Sequence, residues 1–278
     1  REARDTTLVA PPPQQTRRAT RPMIDTAIQY LRLVRFYNHT NFAIVLLGAF
    51  TLGKAASLVD LMILYLSFNV GLYGGIYTLN AIADYEEDRV DPAKSARPMP
   101  SGAVSVSGAW IFLAGLWTFA FVSSWAYFHS LKLLKFYMTF IVVNIAYSFV
   151  LKKVLYIRFL SAAMTAPLRL CMGATVAGVT CPAPAALISY FFMTCVQSTK
   201  VRVEKKKKDK VCNGWPPKLL EALCLVGVAL CFTLQFPKHK LFLSLAGMAI
   251  TTFLGLSMIR DSHASLLLGA DVHPKKDI

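Results

Sequence analysis

The stretch from Asn80 to Gly102, NAIADYEEDRVDPAKSARPMPSG, follows a run of apolar residues and places five acidic side chains between Asp84 and Asp91. On a helix, Asn80, Asp84 and Asp88 recur every four residues and drift by only about 40° per step, so three oxygen-bearing side chains share one face. A solvated helix end at a membrane border is the simplest reading of such a cluster. Against it, carboxylates at a helix C-terminus meet the negative end of the dipole, and carboxylates repeated along one face repel one another. A hard divalent cation with oxygen ligands removes that cost. Mg2+ takes one or two carboxylates, several waters and the oxygens of a phosphorylated substrate, which suits an open helix end. Asn80, Asp84 and Asp88 are therefore the candidate metal ligands, with Mg2+ the expected cofactor. Downstream, Arg89, Lys94 and Arg97 supply cations for a phosphate, while Pro92, Pro98, Pro100 and Gly102 turn the connector back.

The rest of the sequence sets where this helix end lies. Of 278 residues, 55% are hydrophobic and 16% charged, against about 25% charged in a soluble domain. Apolar runs long enough for a hydrocarbon core of roughly 30 Å lie near 34–53, 58–82, 104–127, 133–151, 156–179, 183–199, 218–236 and 241–259. An all-α, multi-span transmembrane helical bundle with eight spans is expected. Both long polar connectors follow even-numbered runs and so share a side. That side carries 24 Lys and Arg residues against 5 on the other, which predicts that the amino terminus and both connectors are cytoplasmic.

A net charge of +15 is spread over membrane-flanking segments with no nucleic-acid recognition module, so nucleic acid is excluded as a partner. Membrane lipids and phosphorylated substrates are expected instead. The six cysteines contain no Cys-x-x-Cys pair and read as small packing residues. Residues 1–30 are expected to be a disordered basic arm, 31–260 the membrane domain and 261–278 a polar tail.

Asn80, Asp84, Asp88, Arg97, Pro98 and Gly102 together resemble the first aspartate-rich motif of the UbiA superfamily of intramembrane prenyltransferases. Ala81 departs from the Asp that often follows the Asn, which removes one ligand. LRLVRFYN (Leu31–Asn38) resembles the segment leading into the family's first span, and the resemblance assigns Arg35 and Asn38, with Asn80 and Arg89, to substrate contact. AYSFVLKK resembles the family's Tyr and Lys elements after the fourth span, giving Tyr147 and Lys152, for which ordinary interfacial anchoring is an equal reading. PLRLCMGA resembles an Arg and Gly pair in the fifth span. Its Arg169 is also a site candidate on physical grounds, because an ionisable group inside a span is costly and faces a polar cavity. Arg158 departs from the acidic or amide residue common near that position.

The family carries a second aspartate-rich motif after the sixth span, so that two metal faces grip one diphosphate across a central cavity. Here the segment reads STKVRVEKKKKDK. Its Lys-x-x-x-Glu spacing resembles the branch acting on polyprenyl phosphate and a phosphorylated ribose. Lys200 and Arg202 are assigned to phosphate contact and Lys205 to Lys208 to the lipid surface. Phe68, Tyr73, Tyr77, Trp117 and Phe121 are expected mostly to pack, with tunnel lining as the alternative. The family has nine crossings, and the sequence after the eighth run leaves too little apolar length for another.

The resemblance implies a Mg2+-dependent transferase in which Lys94, Arg97, Lys200, Arg202, Arg169, Tyr147 and Lys152 act on a prenyl diphosphate or prenyl phosphate, with the acceptor undefined. A UbiA-type terpene cyclase and a polyprenyl-phosphate phosphoribosyltransferase are the alternatives. A transporter or scaffold leaves the aligned Asn80, Asp84 and Asp88 unexplained.

Overall fold

The structure is a computed structural model and describes residues 23–53, 56–151, 154, 157–207, 217–235, 240–243, 245–247 and 250. Among them the chain is helical, with no strand. Helix α1 (Met23–Val34) has two unlike faces. Ile24, Ile28 and Leu31 recur at helical spacing and are exposed, whereas Leu33 and Val34 are buried. Residues 23–30 are thus ordered as helix rather than disordered; an amphipathic face packed against the bundle outweighs the basic composition. Residues 1–22 lie outside the described residues.

Arg35 ends α1 in the left-handed conformation (φ 54°, ψ 58°) and a 3-10 turn, Phe36–Phe42, leads into α2 (Ala43–Leu52). The second crossing runs Leu58–Ala83 as α3 (Leu58–Leu64), a π-helical stretch (Tyr65–Tyr73) and α4 (Gly74–Ala83). It starts at a capping box in which the Asp60 amide donates to Ser57 Oγ at 3.0 Å and the Ser57 amide donates to Asp60 Oδ2 at 2.9 Å. The π stretch widens the turn and rotates the following residues relative to an unbroken α-helix, so it sets which side chains of α4 face inward.

A short α5 (Tyr85–Val90) precedes α6 (Val106–Phe128) and α7 (Leu131–Phe149). Ser105 and Ser130 cap the last two, accepting from the Gly108 and Leu133 amides at 3.0 and 3.3 Å. Then come α8 (Ile157–Ala163), α9 (Thr165–Val176), α10 (Ala183–Lys207) and α11 (Pro217–Gln235). Phe68, Leu72, Ile76, Tyr137 and Phe140 centre one buried cluster, and Leu170, Ile188, Val228 and Phe242 a second. The Tyr137 hydroxyl inside the first is satisfied by Ser67 Oγ at 2.8 Å, as a buried phenol requires.

Helix α2 meets α9 backbone to backbone. A Cβ built on Gly173 would lie 1.9 Å from the Val45 carbonyl oxygen, and one on Gly48 would lie 2.1 Å from that of Leu170. Small residues on membrane helices allow such close approach, and dispersion rather than the hydrophobic effect then holds the pair. This contact fixes Arg169, one turn before Gly173.

Among the described residues, Leu58–Ala83, Val106–Phe128 and Leu131–Phe149 are long and apolar enough to cross a membrane. The expected runs at 34–53 and 156–179 each appear as two pieces, divided at Phe42 and at Met164. The run expected at 183–199 continues to Lys207, so the start of the following connector is helix, not loop. Lys, Arg and Glu are good helix formers, and no Gly or Pro interrupts them before Gly214. The run expected at 241–259 falls largely outside the described residues.

Candidate functional site

A polar cavity of about 360 Å³ lies among the ends of α4, α7, α8, α9 and α10. Helix α4 and the π stretch before it contribute Tyr73, Tyr77 and Asn80, α7 contributes Asn144 and Tyr147, and α10 contributes Gln197. Among the described residues two guanidinium groups line it, Arg35 and Arg169, and no carboxylate does.

Arg169 is 3% exposed. Its Cζ lies 4.7 Å from the centre of the Tyr73 ring and 4.9 Å from that of Phe140, so two π faces stabilise the charge. Ring faces do not satisfy N–H donors, and Nε has no hydrogen-bond partner. A buried cation with an unmatched donor, in a cavity that no carboxylate of the described residues lines, favours an anionic ligand. The Tyr77 hydroxyl donates to that of Tyr73 at 2.6 Å, and Arg35 sits 5.5 Å over the Tyr77 ring.

Asn80 lines the cavity from the end of α4. Its Oδ1 accepts from the Ser148 hydroxyl, which also lies 2.7 Å from the Asn144 carbonyl oxygen, and Asn144 Nδ2 donates to the Phe140 carbonyl at 2.7 Å. This chain of bonds orients the Asn80 amide from α7. The helix breaks at Asp84 (φ −94°, ψ 2°), yet Asp84 N donates to the Asn80 carbonyl at 2.9 Å and Asp88 N to that of Asp84 at 2.8 Å. The four-residue spacing expected from the sequence therefore survives the break.

Asp88 is 2% exposed and held by two cations. Lys94 Nζ is 3.0 Å from Oδ1, and Arg97 Nη1 is 2.5 Å from Oδ2. Burial alone would push this carboxyl up, but the bonds and charges of Lys94 and Arg97 outweigh it and hold it below the ordinary carboxylate range. Lys94 is raised in turn, chiefly by its bond to Asp88. The connector is folded to bring these cations back. Asp91 accepts the Lys94 and Ser95 amides on its carbonyl at 2.9 and 3.0 Å, and the Ala93 amide on Oδ1 at 3.0 Å. Gly102 closes the loop with φ 71°, a conformation that favours glycine, and donates to the Met99 carbonyl at 2.9 Å.

The structure thus gathers Arg35, Asn38, Asn80, Tyr147 and Arg169 around one cavity, with Asp84 one turn beyond Asn80. Lys94 and Arg97 are engaged with Asp88 rather than directed at the cavity. Arg89 is exposed on α5 and is not among the cavity-lining residues. Lys200 and Arg202 continue α10 past Gln197, while their side chains, and all of Lys152, lie outside the described residues. Asn144, Ser148 and Gln197 were missed in the sequence. An amide inside an apolar run turns toward a hydrogen-bond partner on another helix or a polar cavity and away from lipid, and that signal could have found Asn144 and Gln197. Of the five aromatics expected to pack, Phe68, Trp117 and Phe121 do so, while Tyr73 and Tyr77 also line the cavity.

Among the described residues no three His, Cys, Asp or Glu side chains form a metal cluster. Asn80 lines the cavity and Asp84 follows it by one turn, and the hard oxygen donors of these two residue types fit Mg2+ completed by water and substrate oxygens. Asp88 would join it only by giving up one of its cations.

Residues 16–210 match the UbiA prenyltransferase family. No curated protein matches the chain by sequence. Among solved structures, a UbiA homologue from Archaeoglobus fulgidus bound to GPP and Mg2+ is similar with a TM-score of 0.62 at 19% identity, covering 82% of this chain and 88% of the other. A digeranylgeranylglyceryl phosphate synthase gives 0.63 at 17% identity, over 88% of this chain and 93% of the other. A UbiA homologue from Aeropyrum pernix K1 gives 0.61 at 14%, over 89% and 95%. A multi-helix intramembrane bundle carrying a polar cavity at the end of an aspartate-bearing helix, matched over most of its length, places this chain in the UbiA prenyltransferase family.

Proposed function

We propose that the chain is a Mg2+-dependent transferase that ionises a prenyl diphosphate in the polar cavity and joins the prenyl chain to an acceptor. The observation that carries this is the pairing of Arg35 and Arg169 in one cavity that no carboxylate of the described residues lines, with Asn80 on its wall and Asp84 one helical turn beyond Asn80. Arg169 is already desolvated and pinned between two rings, so it costs little reorganisation to meet charge developing on a leaving diphosphate. Arg35 approaches from α1 and Tyr147 from α7. Asn80, Asp84 and, after exchange of partners, Asp88 are assigned as the metal ligands. Mg2+ held there would neutralise the diphosphate oxygens as the carbon–oxygen bond breaks.

Lys94 and Arg97 act by fixing the connector to Asp88, and either is released to the diphosphate if Asp88 turns to the metal. Lys200, Arg202 and Lys152 are assigned to phosphate contact, as the resemblance to the family implies. Tyr73 and Tyr77 keep the inner wall aromatic, which shields an allylic cation from water. The charge bias of the sequence supports a cytoplasmic opening for this end of the bundle. The A. fulgidus structure with GPP and Mg2+ supports the choice of donor and metal.

The test is a panel of prenyl diphosphates offered to the purified chain with and without Mg2+ and with or without aromatic, isoprenoid-alcohol and phosphorylated acceptors. Turnover that needs both Mg2+ and an acceptor supports the transferase. A hydrocarbon product formed from the donor alone would replace it with the cyclase reading.

A further inference from the structure

Helix α9 ends in a turn at the end of the bundle away from the polar cavity. Ala177 and Val179 of that turn pack against Gly53, where α2 ends, whereas the cavity lies at the Arg35 side of α2. Gly178 takes φ 80°. The Gly178 and Val179 amides donate back to the Thr175 and Ala174 carbonyls at 3.1 and 2.9 Å, the pattern that reverses a chain after a helix. The reversal returns Cys181 to the side of α9, where its thiol and that of Cys171 lie within hydrogen-bonding reach of one another. Lys132, exposed at the start of α7, donates to Thr180 Oγ1 at 3.2 Å, and its charge acts on both sulfurs. Among the described residues Cys195, Cys224 and Cys231 are buried, whereas Cys171 and Cys181 are half-buried. Neither of this pair lines the polar cavity.

We propose that Cys171 and Cys181 form a redox-modification site, in which a small disulfide of the glutathione class oxidises the two thiols to a bond that straps the turn to α9. The sequence reads all six cysteines as packing residues, but here two thiols meet, both are reachable, and a lysine beside them favours the thiolate. One protein thiolate attacks a sulfur of the small disulfide, forming a mixed disulfide and releasing one small thiolate. The second protein sulfur then attacks the first, closing the bond and releasing the other small thiolate. The released thiolates take up the protons that the cysteines lose, so two protein thiols are oxidised as one small disulfide is reduced to two small thiols. The charge bias of the sequence supports a non-cytoplasmic exposure for this end of the bundle, the setting in which disulfides persist. Neither sulfur takes part in the transfer reaction proposed above, so the site stands or falls separately from it.

The experiment incubates the full chain in detergent with oxidised glutathione, alkylates the remaining thiols with N-ethylmaleimide and cleaves with cyanogen bromide. Cleavage after Met164, Met172 and Met193 puts Cys171 on fragment 165–172, Cys181 on fragment 173–193 and Cys195 beyond both. The expected result is one linked species containing both fragments, alkylated at neither cysteine, that dithiothreitol separates. Cys181→Ser should lose this species and Cys231→Ser should keep it. Lys132→Gln should slow its formation several-fold at neutral pH, because the cation beside the thiolate is gone. Oxidised wild type should melt several degrees above reduced wild type, since the bond restricts the unfolded chain, with no such shift in Cys181→Ser. Fragments that stay unlinked, whether alkylated or carrying glutathione, a Cys171 or Cys181 bonded to another cysteine, or a wild-type midpoint unmoved by oxidation would overturn the site, whatever the chain does with prenyl diphosphates.

Discussion

Replacing Gly173 by alanine tests whether the contact between α2 and α9 positions the site. The added Cβ would stand 1.9 Å from the Val45 carbonyl oxygen and 2.9 Å from the Ala49 amide nitrogen. Both are backbone atoms of a helix and cannot rotate aside, so the helices must separate. Alanine favours the helix by about 1 kcal/mol over glycine, whereas overpacking costs typically 1–3 kcal/mol and more where nothing yields. Sterics should win, for a net loss of about 2 kcal/mol. At roughly 2–4 °C per kcal/mol for a chain of this order, the midpoint in detergent should fall by several degrees. Gly115→Ala is the internal control, since its Cβ meets nothing within 4 Å on α6; it should hold or raise the midpoint. Turnover should fall in Gly173→Ala beyond the loss of folded protein, because Arg169 lies one turn away. If Gly173→Ala matches wild type in both thermal midpoint and turnover, the close approach of α2 and α9 is not what fixes Arg169.

Asp88→Asn should destabilise the connector by about 1–3 kcal/mol, less than the 3–5 typical of a fully buried pair, because Lys94 and Arg97 keep 37% and 35% of their side-chain exposure; limited proteolysis within residues 91–104 reports it. Ser148→Ala removes one hydrogen bond to Asn80, worth about 0.5–1.5 kcal/mol, and should raise the Mg2+ concentration needed for half-maximal turnover while leaving the thermal midpoint near wild type. Lys200→Ala and Arg202→Ala should each lower turnover by about 2.7–4 kcal/mol of charge stabilisation, whereas neutralising Lys205 to Lys208 should alter membrane insertion instead. The opposite assignment, measured as separate turnover and insertion assays, would move the catalytic cations elsewhere.

The apolar runs and the Asn80–Asp84–Asp88 spacing were legible because each depends on local periodicity, which the break at Asp84 left intact. Arg169 was legible because a charge inside an apolar run needs a reason. What the sequence concealed depends on residues distant in the chain. That Lys94 and Arg97 fold back on Asp88 follows from the turns of residues 91–102, and either cation could equally have faced a phosphate. The cavity polar groups Asn144, Ser148 and Gln197 come from α7 and α10, and only helix packing brings them to Asn80. The division of the first and fifth runs also escaped, since an apolar pattern does not distinguish a 3-10 turn or a one-residue break from continuous helix. The helical course of residues 200–207 was concealed by their charge, which reads as a connector until helix propensity is weighed.

Release of diphosphate from a radiolabelled prenyl diphosphate, measured in the presence of an acceptor panel with Mg2+ or EDTA, tests the central claim most directly when wild type, Asp84→Ala and Arg169→Lys are compared. The account predicts Mg2+-dependent release by the wild type, none above background from folded Asp84→Ala, and strongly reduced release from Arg169→Lys, whose ammonium lacks the planar fork. Release that persists in EDTA, or that is equal in wild type and Asp84→Ala, would contradict it.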